Sequence, residues 1–518
     1  MSMHEADVVV AGAGHNSLIA AAYLARAGFE VVVLEARDTI GGNTATEELT
    51  LPGFKHDSCS SAHVLIQSNP LMRNNELQLD RYGLRYVYTD PVVVMPLDDG
   101  SAITMWRDRE KTADELGRFS PSDGRAYLAL LEEWDGGLSK VHGRVNNLPP
   151  TELMEDTHEA RTYAELTRRS AIEVIDERFT HPEVRSFMTW LSFATVQPLD
   201  QPGTGILPFA VTAGRAEFGW ASPLGGSGSL PDALAALIRE HGGRVVTSAA
   251  VTEVIIENGR ATGAITAGGD RYSARRAVLS TIHVAQLEEV LPPGSLPDDF
   301  VKGTRSWRPG LTLFAVHMAL ARSPGFVVDG RVVESVAGAL GSTQGLIDQL
   351  DAFGRGHTST RDPWILVVCS TAVDPARAPE GKGILKILTI APYELAGGGR
   401  AWAAEKQRFA DFLTRRVSEH MDFDRSDVLA RVVECPLDLE ARNRHNHLGS
   451  CHGGALGPEQ SGVNRPVSGW SNYRLPIEGL YQTGATTHPG GSVSGRPGRN
   501  AARVMLSDLG VDAGSFMA

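Results

Sequence analysis

Cysteine is scarce in this sequence, which has only four among its 518 residues. No two of them have the C-x-x-C spacing that is typical of a redox disulfide or a zinc site. We therefore expect four separate, buried thiols at Cys59, Cys369, Cys435 and Cys451.

Long apolar runs are also absent. No segment reaches the about 18 to 20 consecutive apolar residues that a membrane-spanning helix needs, and the segment 17–33 is interrupted by Arg26 and Glu30. The first residues lack the charged start, apolar stretch and small-residue cleavage site of a secretory signal. These absences predict a cytoplasmic protein, although an apolar rim for peripheral membrane contact would leave little trace in a sequence.

Positive charge is in deficit, because 49 Lys and Arg residues stand against 62 Asp and Glu residues and give a net charge of -13. Such a chain repels phosphate backbones, so nucleic acid is not expected as a partner. The length exceeds the about 250 to 300 residues at which one hydrophobic core stops growing. We expect two lobes with room for a deep cavity, and a homo-oligomer is compatible with this composition.

A glycine-rich turn near the N-terminus predicts a dinucleotide site. The apolar run 7–11 predicts a strand, residues 18–27 predict a helix, and the turn between them reads Gly12-Ala13-Gly14-His15-Asn16-Ser17. Gly12 permits the tight turn, and Gly14 lets backbone N–H groups approach a pyrophosphate at the positive end of the helix dipole. Ser17 replaces the third glycine of the G-x-G-x-x-G pattern, and a small serine is compatible with close packing of the helix on the strand.

A second predicted strand, residues 30–34, leads to Glu35. Glu35 stands at the expected distance of about 20 residues from the glycine turn to bind ribose hydroxyls, and an acid here argues against a 2'-phosphate. A similar glycine pattern at Gly354, Gly356 and Ser359 follows a polar run rather than a strand. We therefore reject the second pattern as a dinucleotide site.

The residues after Glu35 resemble the extension that marks FAD rather than NAD binding in the glutathione reductase and amine oxidase group. They read Ala36-Arg37-Asp38-Thr39-Ile40-Gly41-Gly42-Asn43. The paired glycines would let the chain turn beside the pyrophosphate. The resemblance therefore implies that Ala36, Arg37, Gly41, Gly42 and Asn43 contribute to an FAD site.

Two later stretches resemble the phytoene desaturase family, especially its branch of desaturase-type carotenoid ketolases and pyridine nucleotide-disulphide oxidoreductase domain 2 proteins. In the middle stretch, residues 223–280, the backbone near Val251 would meet the adenine. In the C-terminal stretch, a strand and turn precede a helix that opens at Arg496. The resemblance implies that this stretch lies along the FAD, with helix N-terminal amides facing its ribityl or pyrophosphate part, through Gly484, Pro489, Gly490, Gly491, Ser492 and Val493.

The fold implied is α/β: a Rossmann-type FAD-binding domain, like that of glutathione reductase and amine oxidases, with an inserted α+β substrate domain. The FAD-binding domain is expected to be discontinuous, from residues 1–75, 215–300 and 430–518. Residues 76–214 and 301–429 would form the substrate-binding domain, with a hairpin at 91–107, about four helices in 109–194, strands at 311–320, 364–371 and 383–391, and a helix at 401–420.

The missing C-x-x-C pair and the lack of a second credible dinucleotide motif exclude the reductases that pass electrons from NADPH through a flavin to two cysteines. The substrate itself would then reduce the flavin, by losing a hydride from a C–H bond. Oxygen or a quinone would take the electrons, and the sequence does not distinguish between the two.

His63 and His488 are the candidates for acid-base chemistry, although a histidine that only bonds the backbone or the cofactor is the more common case. Arg215, Trp220 and Trp307 are candidates to face the substrate. The histidines at 445, 447 and 452 have spacing that a metal could use, but no supporting carboxylate is near. We interpret them as a loop bordering the pocket, and we expect no metal.

The resemblance implies dehydrogenation or oxidation of an apolar, terpenoid-like or carotenoid-like small molecule. A flavin amine oxidase is an alternative, but Asn43 follows the paired glycines where an arginine is common in that group. A flavin-binding partner protein without turnover is a third interpretation.

Overall fold

Two mixed sheets form the framework of the protein in a computed structural model, which describes residues 2–151 and 155–517. In chain order the strands are β1 Met3–Ala11, β2 Val31–Leu34, β3 Thr46–Glu47, β4 His56–Asp57, β5 Tyr86–Val87, β6 Val93–Pro96, β7 Ala102–Met105, β8 Ser222–Pro223, β9 Arg244–Val246, β10 Val251–Glu257, β11 Arg260–Thr266, β12 Arg271–Ser280, β13 Leu313–Leu320, β14 Phe326–Val328, β15 Arg331–Val333, β16 Ala337–Leu340, β17 Ile365–Val368, β18 Gly383–Ile390, β19 Val428–Glu434 and β20 Leu480–Gln482.

The α-helices cover these sheets. They are α1 His15–Arg26, α2 Val64–Gln67, α3 Pro70–Arg73, α4 Arg109–Gly117, α5 Pro121–Glu133, α6 Ser139–Asn147, α7 His158–Leu166, α8 Ala171–Arg178, α9 Pro182–Phe193, α10 Leu207–Phe218, α11 Ser229–Glu240, α12 Leu287–Val290, α13 Asp298–Arg305, α14 Thr343–Gly354, α15 Ala401–Ser418, α16 Pro436–Arg442 and α17 Arg496–Asp508. None of the described helices is long and apolar enough to cross a membrane.

The first sheet has the strand order β10-β11-β12-β1-β2-β9, with β20 also beside β12. Strand β1 is parallel to β2 and β12, and β20 is parallel to β12. Helices α1, α11 and α17 pack in one apolar core with these strands, which explains why β2 is a continuous run of valine and leucine without alternation. The carboxyl ends of β1, β2, β12 and β20 therefore meet at one edge of the sheet, where ligands bind in folds of this kind.

The second sheet has the order β19-β13-β18-β17-β16-β6-β7. Strands β13 and β18 are antiparallel, and every residue of both is buried. Helix α15 packs against one apolar cluster of this sheet, and helices α5, α8, α9 and α10 contribute to another. This sheet confirms the predicted strands at 311–320, 364–371 and 383–391 and the hairpin at 91–107.

The helical segment 109–194 is more divided than the prediction of about four helices, because it contains α4 to α9. New helices start where the sequence offers N-terminal signals: Pro121 and Pro182 occupy first-turn positions, and Ser170 forms a capping box with Glu173. The rejected glycine pattern at 354–359 follows helix α14. The fold class is confirmed, whereas the exact division into domains stays a prediction.

Helices α1 and α17 approach each other so closely that Gly498 has no room for a side chain. A Cβ atom built there would lie 2.2 Å from the carbonyl oxygen of Asn16. We predict that Gly498→Ala lowers the free energy of unfolding by about 1–3 kcal/mol, because backbone cannot move aside as a flexible side chain can. Thermal unfolding measures the effect.

Gly117→Ala is the control for this substitution. Gly117 closes helix α4, and a Cβ atom there would meet no atom within 4 Å. It should leave the unfolding midpoint unchanged or raise it slightly, because alanine favours the helix. Equal midpoints for Gly498→Ala and the wild type would contradict the close contact between the two helices.

Candidate active site

A cavity of about 540 Å³ joins the two halves of the fold. Residues that follow β1, β2, β12 and β20 line one part of it, and residues of β13, β17, β18, α2 and α10 line the other. Glycine and polar residues are frequent in the lining of the first part, and the lining of the second part is largely apolar. A single cavity thus connects the predicted dinucleotide site with an apolar compartment, an arrangement typical of cofactor-dependent enzymes.

The glycine turn after β1 opens onto this cavity. Gly12 has φ +99° and lies against the Thr281 hydroxyl, where a Cβ atom would be 2.2 Å from Oγ1. A Cβ atom on Gly14 would meet nothing within 4 Å, and no side chain caps the helix that Gly14 opens. The first turn of α1 therefore offers backbone N–H groups beside an open space, which fits a pyrophosphate.

Ser17 and Asn16 stabilise this turn. The Ser17 hydroxyl donates to the Gly12 carbonyl at 2.7 Å, and it also lies 2.9 Å from the Gly14 carbonyl. The serine in place of the third glycine is fully buried, so it ties the turn to the helix. Asn16 lines the cavity and accepts a hydrogen bond from the Gly498 amide.

Glu35 lies at the end of β2 and lines the same cavity. One carboxylate oxygen accepts from the Ala13 amide at 2.8 Å and the other from the Arg37 amide at 2.9 Å. These bonds fix the carboxylate beside the glycine turn. Its remaining lone pairs would accept from ribose hydroxyls, as the sequence predicted. Ala13 does not itself line the cavity, but the hydrogen bond from its amide holds the Glu35 carboxylate in position.

The paired glycines return the chain to the glycine turn. Gly41 donates to the Ala13 carbonyl at 2.8 Å, and both Gly41 and Gly42 have positive φ. Asn43 follows and bonds to the side chains of Asn443 and Asn446. Ala36, Arg37, Gly41, Gly42 and Asn43 all line the cavity, and so does Val251.

The C-terminal stretch is only partly at the cavity. Gly484, Ser492 and Val493 line it, whereas Pro489, Gly490 and Gly491 do not. Gly490 and Gly491 lie instead against Leu456 and the backbone of His452. The expectation that helix amides of this stretch face the flavin is not met at α17, because its first turn is buried against α1 rather than exposed to the cavity.

The two predicted acid-base histidines lie outside the cavity lining. His63 has hydroxyl partners on both ring nitrogens, Tyr86 and Ser227, and burial lowers its pKa to about 3. His488 donates from Nε2 to the Val145 carbonyl, and burial lowers its pKa to about 4. Both rings hold chain segments together, so their geometry gives a catalytic role no support.

Lys386 is a cavity residue that sequence reasoning missed. It is the one charged residue in the buried and mainly aliphatic strand β18, and this was the signal available in the sequence. Its ammonium donates to the carbonyls of Cys59 and Asp57 and lies 3.2 Å from the Ser61 hydroxyl. Burial lowers the pKa of Lys386, yet its three oxygen partners match the three N–H donors of the charged form.

The structure also brings two distant cysteines together. Cys59 and Cys451 both line the cavity, and the nearby Cys451 thiol lowers the pKa of Cys59. Cys369 and Cys435 are buried elsewhere. All four cysteines are free thiols, as predicted, and three of them are buried. The proximity of Cys59 and Cys451 could not be predicted, because 392 residues of chain separate them and leave no local spacing pattern.

The histidine-rich loop borders the cavity through His445 and His452. His445 bonds to the Thr281 carbonyl at 2.8 Å, and its ring and that of His447 pack against His283. Within the described residues, no group of three or more His, Cys, Asp or Glu side chains is placed to hold a metal ion.

Arg215 and Trp220, two of the residues expected to face the substrate, line the apolar compartment, whereas Trp307 does not. Trp307 packs against Arg465 outside the cavity lining. The remaining wall consists mainly of small and aliphatic side chains: Ala62, Val64, Leu65, Ala194, Val196, Ala210, Val211, Leu313, Leu366, Val368 and Leu388.

The position of Glu35 generates a test of FAD binding. In Glu35→Gln the amide has one acceptor oxygen where the carboxylate has two, so either Ala13 or Arg37 loses its partner. We predict that the Kd for FAD rises about 10- to 100-fold, because hydrogen bonds to a charged group are lost. Fluorescence titration of the flavin-free protein measures it.

The exposed Asp38, close along the chain, provides the matched control. Asp38→Asn also removes one negative charge, but it leaves the hydrogen bonds of the Glu35 carboxylate intact. It should therefore leave the Kd for FAD unchanged. A similar Kd for Glu35→Gln and the wild type would contradict the role of Glu35.

Asp57 generates a pH-dependent prediction. Burial alone would raise its pKa, but Arg377 and hydrogen bonds from Ser227 and Thr46 hold the pKa below its usual 3.8. A lowered pKa contributes stability that is present above the unfolded value and is lost as the pH falls through the folded value. We expect Asp57→Asn to cost about 3–5 kcal/mol at neutral pH, as for a broken buried ion pair.

Thermal unfolding at pH 7 and below pH 4 checks this prediction. The difference in midpoint between wild type and Asp57→Asn should be largest at pH 7 and should narrow in acid. Asp135→Asn, which removes the partner of Arg109 at the surface, should show a small difference at both pH values. A gap for Asp57→Asn that widens in acid would contradict the lowered pKa.

Comparisons with known proteins agree with this geometry. The family model of flavin containing amine oxidoreductases matches residues 18–506. The chain is 29% identical over 558 residues to pyridine nucleotide-disulfide oxidoreductase domain-containing protein 2 of Mus musculus, covering 98% of this chain and 94% of that protein. It is 26% identical over 536 residues to a limonene dehydrogenase subunit of Castellaniella defragrans, covering 98% of this chain and 96% of that protein.

A zeta-carotene-forming phytoene desaturase of Myxococcus xanthus is 25% identical over 491 residues, covering 93% of this chain and 90% of that protein. The fold is shared with the crystal structure of an oxidoreductase from Methanosarcina mazei, with a TM-score of 0.60 and 18% identity over 97% of this chain and 99% of that chain. These relatives confirm the predicted phytoene desaturase-like branch. Since the family model spans almost the whole chain, the protein belongs to the flavin containing amine oxidoreductase family and is an FAD-dependent oxidoreductase.

Proposed function

We propose that this enzyme dehydrogenates or oxidises a largely apolar small molecule of the terpenoid or carotenoid kind. The observation that carries the proposal is the single cavity, in which the glycine-turn site opens into a wall of alanine, valine and leucine side chains. When bound, FAD would supply the acceptor for a hydride from a substrate C–H bond. The apolar wall would exclude water and orient the substrate.

The residues that would hold FAD are those at the polar part of the cavity. They are Gly12, Gly14, Asn16, Ser17, Glu35, Ala36, Arg37, Gly41, Gly42, Asn43, Val251, Gly484, Ser492 and Val493. Residues 1–75, 215–300 and 430–518 would form the FAD-binding domain, and 76–214 and 301–429 the substrate domain. Lys386 would hold the segment from Asp57 to Ser61 in place and present a positive charge to the cavity.

The relatives support an apolar substrate. Limonene and carotenes are the compounds in the names of two similar proteins, and both are hydrocarbons. Neither name identifies the substrate of this chain, but the aliphatic wall is compatible with that class of molecule.

An amine substrate is the competing proposal, because the family is named after amine oxidoreductases. Two observations disfavour it. Trp220 is the only Phe, Tyr or Trp in the described cavity lining, so no cage of paired aromatic rings surrounds the site. Lys386 and Arg215 also place two basic groups in the wall, and like charge repels a protonated amine.

Anaerobic mixing of the FAD-loaded enzyme with candidate substrates tests the proposal. The panel is limonene, phytoene and putrescine, each followed by the visible absorbance of the flavin. We expect at least one apolar compound to bleach the flavin and putrescine to leave it oxidised. Bleaching by putrescine alone would contradict the proposal. Product analysis accompanies each reaction, since an isomerisation would return the flavin to its oxidised state. Admitting oxygen or a quinone to the reduced enzyme then identifies the electron acceptor.

The apolar wall can be tested with a matched pair of leucines. Leu388 lines the cavity, whereas Leu429 is exposed. We predict that Leu388→Asn lowers kcat/KM for the active apolar substrate about 10- to 100-fold, because it places an amide against an apolar group. Leu429→Asn should leave kcat/KM unchanged. Equal activity of the two variants with FAD retained would contradict the placement of the substrate.

A further inference from the structure

Arg215 is a buried cation that has no acidic partner among the described residues. It lies on helix α10, is 6% exposed and lines the apolar part of the cavity. Its Nη1 atom has no hydrogen-bond partner, and no salt bridge to its guanidinium exists among residues 2–151 and 155–517.

Each of the other buried arginines has an ion pair or hydrogen bonds within the protein. Arg377 pairs with Asp57, and Arg499 pairs with Glu76. Arg496 bonds to Asn147 and Ser68, and Arg465 donates to backbone carbonyls of residues 453, 455, 460 and 485. A buried charge without such partners costs several kcal/mol in a protein interior. Arg215 alone among these residues carries that cost, in the wall of the cavity.

Trp220 lies next to Arg215 and has an unused donor of its own. The guanidinium carbon lies 3.9 Å from the centre of the Trp220 ring, and the buried indole Nε1 has no hydrogen-bond partner in the part of the chain that the structure describes. Stacking on the ring occupies one face of the guanidinium and leaves the N–H groups in its plane free. An arginine and an indole N–H are donors only, so the missing partner must be an acceptor.

We propose that Arg215 and Trp220 form a binding site for a carboxylate at one end of an otherwise apolar substrate. The planar guanidinium would donate to the two carboxylate oxygens side by side, and the indole N–H would donate to one of them. The neighbouring Val64, Ala210 and Val211 on the cavity wall would pack against the apolar part. This assignment specifies the substrate class of the proposed function. That such a molecule is oxidised rests on the proposed function, whereas the binding of a carboxylate at Arg215 does not.

Binding of decanoate and of its uncharged methyl ester to the FAD-loaded enzyme tests the assignment. The two probes share a chain, and neither has a C=C bond, so the measurement needs no turnover. Perturbation of the flavin spectrum and the shift in Tm report binding. We expect wild type to bind decanoate about 10- to 100-fold more tightly than the ester. An enzyme that fails to oxidise any apolar compound but shows this preference would overturn the proposed function and leave the carboxylate site standing.

Arg215→Met and Trp220→Phe separate the contributions. Arg215→Met keeps the size and removes the unpaired charge, so it should abolish the preference for decanoate and leave Tm unchanged or higher. Trp220→Phe keeps a ring face and removes the N–H, so it should reduce the preference to a smaller extent. Arg178→Met is the control, because Arg178 also stacks on a ring, that of Phe209, but outside the cavity lining.

Three results would overturn the assignment. The first is equal binding of decanoate by wild type and Arg215→Met. The second is failure of wild type to bind either probe. The third is an Arg215→Met variant that retains the preference but shifts the midpoint potential of the flavin, since Arg215 would then serve the cofactor rather than the substrate.

Discussion

The rest of the site depends on one tight contact, the packing of the Gly12–Gly14 turn against its surroundings. Gly12 meets Thr281 after β12, while the Ala13 amide donates to Glu35 after β2. The Ala13 carbonyl accepts from Gly41. One turn thus connects three parallel strand ends and the paired glycines, and it leaves the first turn of α1 uncapped beside the cavity. A side chain at Gly12 would separate these elements, because Thr281 occupies the space it would need.

The second half of the cavity is built mainly from apolar side chains rather than from a glycine turn. Its wall comes from helices and from a sheet whose strands β13 and β18 are buried along their whole length, and few basic groups lie there. Lys386 is matched by the carbonyl oxygens of Asp57, at the end of β4, and of Cys59, and it therefore holds this segment against β18. Arg215 has no such match. Lys386 is therefore a structural cation, whereas the proposed partner of Arg215 comes from outside the chain. A negatively charged end on an apolar substrate is the simplest explanation for an unpaired arginine at this position.

Local motifs in the sequence predicted the fold class, the FAD cofactor and several strands of both sheets, because β1, the glycine turn, α1 and Glu35 follow one another within a few dozen residues. Features that depend on distant contacts could not be predicted. Cys59 meets Cys451, and Lys386 meets Asp57, only after folding. His63 and His488 are candidates for acid-base chemistry from the sequence because they stand beside flavin motifs. Their rings bond instead to Ser227 and Val145, which lie far along the chain. Proximity in sequence to a cofactor motif does not determine where a side chain points.

The central claim is that the cavity holds one FAD per chain at the glycine turn. The most direct test is the visible spectrum of the purified protein, with identification and quantification of the flavin that denaturation releases. The account predicts a two-banded flavin spectrum and close to one FAD per chain, either as purified or after reconstitution. A colourless protein that FAD cannot restore would contradict the account, because the turn, Glu35 and the paired glycines would then form a cradle without a ligand.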